Sequence, residues 1–445
     1  LLASAAYAED PPVFSGMSYL DNGTVRIGMN LDIGGAITYL SKSGNDENIV
    51  NSADWGRQIQ MSFYSGPVPY EPKGKKPSPN WVFIGWNPIQ SGDTYNNASK
   101  VIAHRKTATE LYVKCIPMHW PLNNEPGQCT FEVWITLDNN TVRVKSQLNN
   151  AREDQTQFPA RGQELPAVYT NGTFYRLFTY DGDKPFTNAP LRLIDKVWDT
   201  SIPPAEVVGG PWDHWYNTEN WAALVNEADF GVGIWTPGTY AYTGGFAGKP
   251  GSGGPKDGPT GYISPIRREI LDHNIEYSYH YTLIVGQLQE IRDYVYEHAE
   301  RVTLPDYTFE QDRQSWILAD AQDQGWPMNG TWQVALTGKA PRLNGPKAFW
   351  QAKDMPTLYL RAAFDTGSDT AILKWEGFNG QGGGQMDFEI IPDGKMHPYT
   401  LDLSSAEGYS GTCTGLVLIP KTDGEAGRTV TIDWLSHRII KSGRE

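Results

Sequence analysis

Short runs of alternating apolar and polar residues, each closed by Gly, Asn, Asp or Pro, recur along the whole chain and leave room for little besides strands. They occupy residues 24–31, 58–64, 110–115, 130–137, 141–148, 221–225, 232–235 and 275–285, then 348–351, 357–364, 371–375, 386–391 and 429–434. A period of two with turn residues between runs is the pattern of half-buried strands. Strands that follow strands, without intervening helices, exclude a parallel βαβ fold. The predicted class is all-β, a large β-sandwich followed by a smaller one. Asp138-Asn139-Asn140 separates two of the runs as a hairpin turn, because Asn and Asp accept the left-handed conformations tight turns require.

One segment breaks the pattern. Over residues 288–301, Leu288, Ile291, Val295 and Ala299 fall on one helical face and Glu290, Arg292, Asp293 and Glu297 largely on the other. Pro305 follows, and the residue before a proline disfavours helix. This places a boundary near residue 303 and divides the chain into residues 9–303 and 304–445. A chain of 445 residues is also longer than one core usually serves. Residues 1–8 end in Ala6-Tyr7-Ala8 ahead of Glu9, Asp10, Pro11 and Pro12, the small-residue pattern of a clipped secretory signal. The expected location is therefore secreted or periplasmic; an ordinary N-terminal tail is the other reading. Residues 248–261 are too rich in Gly and Pro for regular structure and form either a functional rim or a surface insertion.

With 51 acidic against 37 basic residues the net charge is −14, a field that repels nucleic acid and anionic membranes, so neither is an expected partner. No stretch reaches the roughly 18 apolar residues of a membrane helix. There is no H-E-x-x-H, the eight His are scattered, and no Gly-rich phosphate loop is present, so no metal or cofactor is expected. Asp181-Gly182-Asp183 reads better as a β-turn than as a calcium site. Cys115 and Cys129 flank a Pro/Asn/Gly-rich loop, where a bridge would close a hairpin and contribute roughly 3 kcal/mol. Two free buried thiols are the alternative.

Gly56-Arg57-Gln58-Ile59-Gln60, residues 163–169 (QELPAVY), residues 219–225 (ENWAALV) and residues 230–234 (FGVGI) carry a resemblance that spans the first 300 residues. They resemble the galactose-mutarotase-like β-supersandwich of aldose epimerases and of accessory or catalytic domains of several polysaccharide lyases and hydrolases. Residues 393–403, 411–420 and 429–434 are similar to the final strands of jelly-roll modules appended to extracellular glycan-degrading enzymes. The resemblance implies a carbohydrate-active protein and no particular set of catalytic residues.

Residues 211–221 (PWDHWYNTENW) hold three Trp, two carboxylates and one His. Flat rings beside carboxylates and amides suit sugars, which present apolar C–H faces and polar edges; a Trp-rich core strand would use the same residues. Fully extended, Asp213 and Glu219 would stand roughly 20 Å apart, whereas glycoside hydrolysis needs a pair about 5–9.5 Å apart. Either the segment turns or a partner comes from elsewhere. Glu164, between Arg161-Gly162-Gln163 and an apolar run ending at Tyr169, is the best outside partner; a salt bridge to Arg161 or Arg57 is the competing role. His119, next to Trp120, falls at an expected loop tip.

The leading expectation is an extracellular glycoside hydrolase acting on a neutral poly- or oligosaccharide. Glu164 serves as general acid, Glu219 or Asp213 as base or nucleophile, and Trp120, Trp212, Trp215 and Trp221 as sugar platform. A polysaccharide lyase on the same scaffold would use His119 or His214, Tyr169 and Arg57. A glycan-binding protein without catalysis is the third reading.

Overall fold

The computed structural model describes residues 13–203, 210–301 and 303–441. The expected signal remnant at 1–8 lies outside the described residues. Strands far outnumber helices in the described chain and are arranged as two sandwiches in sequence order.

The first sandwich packs an eleven-stranded sheet on a nine-stranded one. The former runs Met17–Asp21, Val25–Asn30, Ala36–Lys42, Ile59–Ser62, Arg161–Asn171, Thr260–Glu269 and Ala241–Ala247, with Asp213–Tyr216 pairing on the last of these. The latter includes Trp221–Val225, Phe230–Trp235, Glu276–Gln287, Thr141–Asn150 and Cys129–Asp138. Asp138 pairs with Thr141 across Asn139 and Asn140, and Asn139 has a φ of 49°, the left-handed turn expected there. One hydrophobic core fills the space between the sheets, from Leu20 to Val285.

The helix, Leu288–His298, starts at a capping box in which Gln287 and Glu290 exchange side-chain and backbone bonds. It stops at His298, short of the expected 301, because Ala299 already has an extended backbone. Ile291 and Val295 press onto Trp221, Ala223, Val225 and Trp235, on the outer face of the nine-stranded sheet. Burial of each aliphatic side chain stabilises this cap by about 1.5–3 kcal/mol. Arg292, expected on the polar face, is buried instead.

Cys115 and Cys129 are free, buried thiols rather than a disulfide. Cys115 pairs in register with Phe131, which leaves Cys129 on the diagonal. Diagonal neighbours on adjacent strands stand roughly 7–8 Å apart, beyond the usual reach of a bridge.

The second sandwich comprises two six-stranded sheets, one centred on Thr429–Ser436 and Thr357–Asp365, the other on Thr412–Pro420 and Thr370–Gly377. It encloses its own core, from Phe309 to Leu435. A buried network joins the two sandwiches. Arg313 reaches Asp272 at 2.6 Å and Asp323 at 2.5 Å, Gln157 donates to Asp323 at 2.7 Å, and Ser315 donates to Glu269 at 2.6 Å. Burial pushes the Asp323 carboxyl up, but Arg313 and the Trp332 N–H outweigh it and hold it below the usual range. Glu269 accepts from the Tyr277 and Ser315 hydroxyls and has no ion pair among the described residues, and burial raises its carboxyl.

Candidate functional site

Alternation along three neighbouring strands builds one face. In Arg161–Asn171, Leu165 belongs to the core and Glu164 points the other way. The register slips between Glu164 and Val168, a bulge around Pro166 that breaks the ladder beside the carboxylate. In Thr260–Glu269, Ile263 lies in the core and Tyr262 on the opposite face, directly across from Tyr169. In Asp213–Tyr216, Trp215 is core and exposed His214 and partly buried Tyr216 face outward. These outward residues border a cleft of about 570 Å³ whose lining includes Tyr64, Glu164, Trp212, His214 and Tyr262, with Arg161 beside them.

Glu164 accepts on both oxygens. Tyr64 donates to Oε2 at 2.8 Å, and Tyr262 donates to Oε1. Burial, reinforced by the Glu164 charge, pushes both phenols well above their ordinary range, so each remains a donor at neutral pH. Neither expected salt bridge forms: Arg57 pairs with Asp54 at 3.0 Å, and Arg161 donates to the backbone carbonyl of Ile84. Rings extend away from this carboxylate in a row. Tyr169 stacks on Tyr262 with centroids 4.6 Å apart, Trp212 tilts onto Tyr262 at 4.9 Å, and Trp198 meets Trp212 edge-on at 6.0 Å. The Gly-rich segment is tied to the 52–57 stretch, with Gly258 O accepting from Arg57 at 2.6 Å and Pro255 O from Ser52 N at 2.6 Å, and none of its residues lines the cleft.

Several residues singled out in the sequence lie elsewhere. Glu219 is fully buried and accepts from Phe186 N at 2.8 Å, Trp221 Nε1 at 2.9 Å and the Tyr296 hydroxyl at 2.6 Å, with Arg292 at 3.4 Å. It ties the helix to the sheet and has no open face for a substrate. Trp221 is sealed beneath that helix, on the far side of the sandwich from the cleft. Asp213 shares the core side of its strand with Trp215 and pairs with Arg192 at 3.3 Å, so it does not meet Glu164. Trp215 touches the cleft only as a buried wall. His119 is buried in a short strand, not at an exposed loop tip, with its ring 4.8 Å from Tyr70. Trp120 packs over Gly56, where an added Cβ would come within 3.0 Å of its ring, and meets Trp81 at 6.0 Å, outside the cleft lining. Tyr64, Tyr262 and Trp198 were not singled out; the pairing of Tyr262 with Tyr169 depends on a register that no single segment displays.

A second hollow of about 590 Å³ lies between the 138–140 turn and the helix. Its walls hold Asp138, Glu290, Asp293 and Glu297 and none of the expected site residues. Among the described residues, no group of three or more His, Cys, Asp or Glu is placed to hold a metal ion.

No family model matches the chain, and no curated protein matches it. Solved structures similar to it include a galactose mutarotase related enzyme from Lactobacillus acidophilus, at 14% identity over 61% of this chain and 97% of that one, with a TM-score of 0.38. A putative aldose 1-epimerase from Escherichia coli K12 matches at 12% identity over 61% of this chain and 99% of that one, with a TM-score of 0.37. A 4-alpha-glucanotransferase from Thermococcus litoralis matches at 11% identity over 62% of this chain and 40% of that one, with a TM-score of 0.32. The first two are of the galactose-mutarotase-like kind.

Proposed function

We propose that the protein is an exported, glycan-cleaving enzyme that binds a saccharide against Trp212 in this cleft and transfers a proton through Glu164. The observation that carries this reading is a single carboxylate, held on both oxygens by tyrosine hydroxyls, in the wall of an open cleft that the partly exposed Trp212 ring also lines. Because both oxygens accept, Glu164 is arranged as a base or charge stabiliser rather than as the general acid of the hydrolase scheme. His214, exposed on the same cleft, supplies the complementary acid.

Of the two cleavage chemistries, hydrolysis by paired carboxylates has the weaker support. Its expected partners, Glu219 and Asp213, face away, and Glu164 is the sole carboxylate among the described residues lining the cleft. Proton abstraction needs one base, one acid and a cation, and Arg161 stands in the lining as that cation. Incubating the purified chain with a broad glycan panel and recording product masses separates the readings. Eliminated products weigh the same in total as the substrate and absorb in the ultraviolet, hydrolysed ones gain a water, and binding without any product leaves a binding protein.

A further inference from the structure

The chain carries a net charge of −14, yet the charged groups of the cleft lining are Arg161 and Lys347 against Glu164 alone. Among the described residues Arg161 has no carboxylate partner; its hydrogen bonds go to backbone carbonyls such as those of Ile84 and Ser65. Lys347 comes from the second sandwich. Its loop is docked against the first by the Tyr216 hydroxyl, which donates to Ala348 O, and the Phe378 ring meets Tyr216 at 5.7 Å. Among the described residues Lys347 is held only by Glu376, in a pair whose side chains are 50% and 47% exposed. Such exposed pairs contribute little and exchange readily for a ligand anion. While the Lys347–Glu376 pair is closed the cleft is locally balanced; once it opens, Arg161 and Lys347 face Glu164 alone, a local field opposite to that of the whole molecule and effective over about one Debye length, roughly 8 Å.

We propose that Arg161 and Lys347 together recognise an anionic group on the sugar, a carboxylate or a sulfate ester, so that the second sandwich completes the cleft for acidic glycans. The neutral substrate expected from overall charge is thereby replaced by a charged one, recognised locally. Glu376 acts as the internal stand-in for the ligand anion, releasing Lys347 as the glycan enters. This inference rests on the reading of the cleft as a glycan site.

The test is titration calorimetry of the full chain with oligomers of galacturonate, glucuronate, mannuronate and guluronate, their methyl esters, a sulfated galactan and neutral β-glucans. At least one acidic oligomer should bind tenfold or more tightly than its methyl ester. Preference for the sulfated or the uronate arm identifies the source of the anion. Lys347→Gln, at an exposed position, should weaken the acidic ligand about tenfold and leave the ester unchanged. Glu376→Gln should tighten it several-fold and steepen its salt dependence. Equal affinity for acid and ester, or an acidic ligand indifferent to Lys347→Gln, would overturn the proposal. If neutral glycans bind as well and Trp212→Ala weakens that binding about tenfold, the glycan cleft stands and only its charge selectivity falls. If no glycan binds, both fall.

Discussion

Tyr262 packs its buried ring 4.9 Å from Trp212 while its hydroxyl donates to Glu164, so one side chain backs the ring that would hold a sugar and orients the carboxylate that would act on it. Trp212 is partly exposed and caps that arrangement. Trp212→Ala should remove the stacking face without touching the Tyr–Glu contacts and weaken saccharide binding about tenfold, which corresponds to ~1.4 kcal/mol. Calorimetric affinity checks it, with the melting temperature of the same sample as the control for folding.

Glu164→Gln retains shape and leaves one tyrosine hydroxyl facing an NH₂ group. If Glu164 transfers the proton, turnover should fall by about 10²–10⁴ while glycan affinity changes little. A well-folded Glu164→Gln protein with near-normal turnover would move the chemistry to His214.

Glu219 gives the opposite signature. Its four donors leave the carboxylate no free face, and replacement by Gln turns one donor against another in a sealed site. The expected cost is about 3–5 kcal/mol, as for other buried pairs that lose one member. Turnover per folded molecule should be unchanged, so the experiment reads melting temperature and rate together.

The buried Arg313 sets the energetic link between the sandwiches. Arg313→Met leaves Asp272 and Asp323 buried without their counter-charge, and chemical denaturation should show a loss of about 3–5 kcal/mol. A chain ending at residue 303 keeps every strand of the first core yet strands Asp272 in the same way. We propose that such a chain folds, with a stability reduced by a similar amount.

The strands and the helix were legible because each is written locally: period two in 141–148, an apolar stripe through Ile291 and Val295, a Pro after the helix. Glu164 was legible for a related reason, as a charge at the edge of an apolar run. Glu219 was misread because the residues that enclose it, Phe186, Arg292 and Tyr296, come from other parts of the chain, and a buried structural carboxylate looks the same in sequence as a catalytic one. The Trp-rich segment misled similarly: alternation sends His214 to the cleft, Asp213 and Trp215 to the core side, and a turn then carries Trp221 into the other sheet. Lys347 carries no local signal at all, since its approach to the cleft is set by how the second sandwich docks on Tyr216.

His119 provides a pH test of burial. Its ring is 1% exposed, lies 4.8 Å from Tyr70 and 5.7 Å from Trp86, and neither ring nitrogen has a hydrogen-bond partner among the described residues. Burial, aided by the nearby Arg152 charge, lowers its pKa from 6.5 to about 3. Between those values the unfolded chain takes up a proton that the folded chain refuses. The unfolded state therefore binds more protons, and stability falls as pH falls through this window, by at most about 1.4 kcal/mol per pH unit. Going from pH 7 to pH 5 should cost the native protein roughly 2 kcal/mol from this group alone. His119→Phe keeps a flat ring against Tyr70 and Trp86 and has nothing to protonate, so its stability should decline less over the same range. Denaturation midpoints of both proteins at pH 7 and pH 5 measure the difference; parallel declines would mean that another group titrates, or that His119 accepts a proton in the folded state.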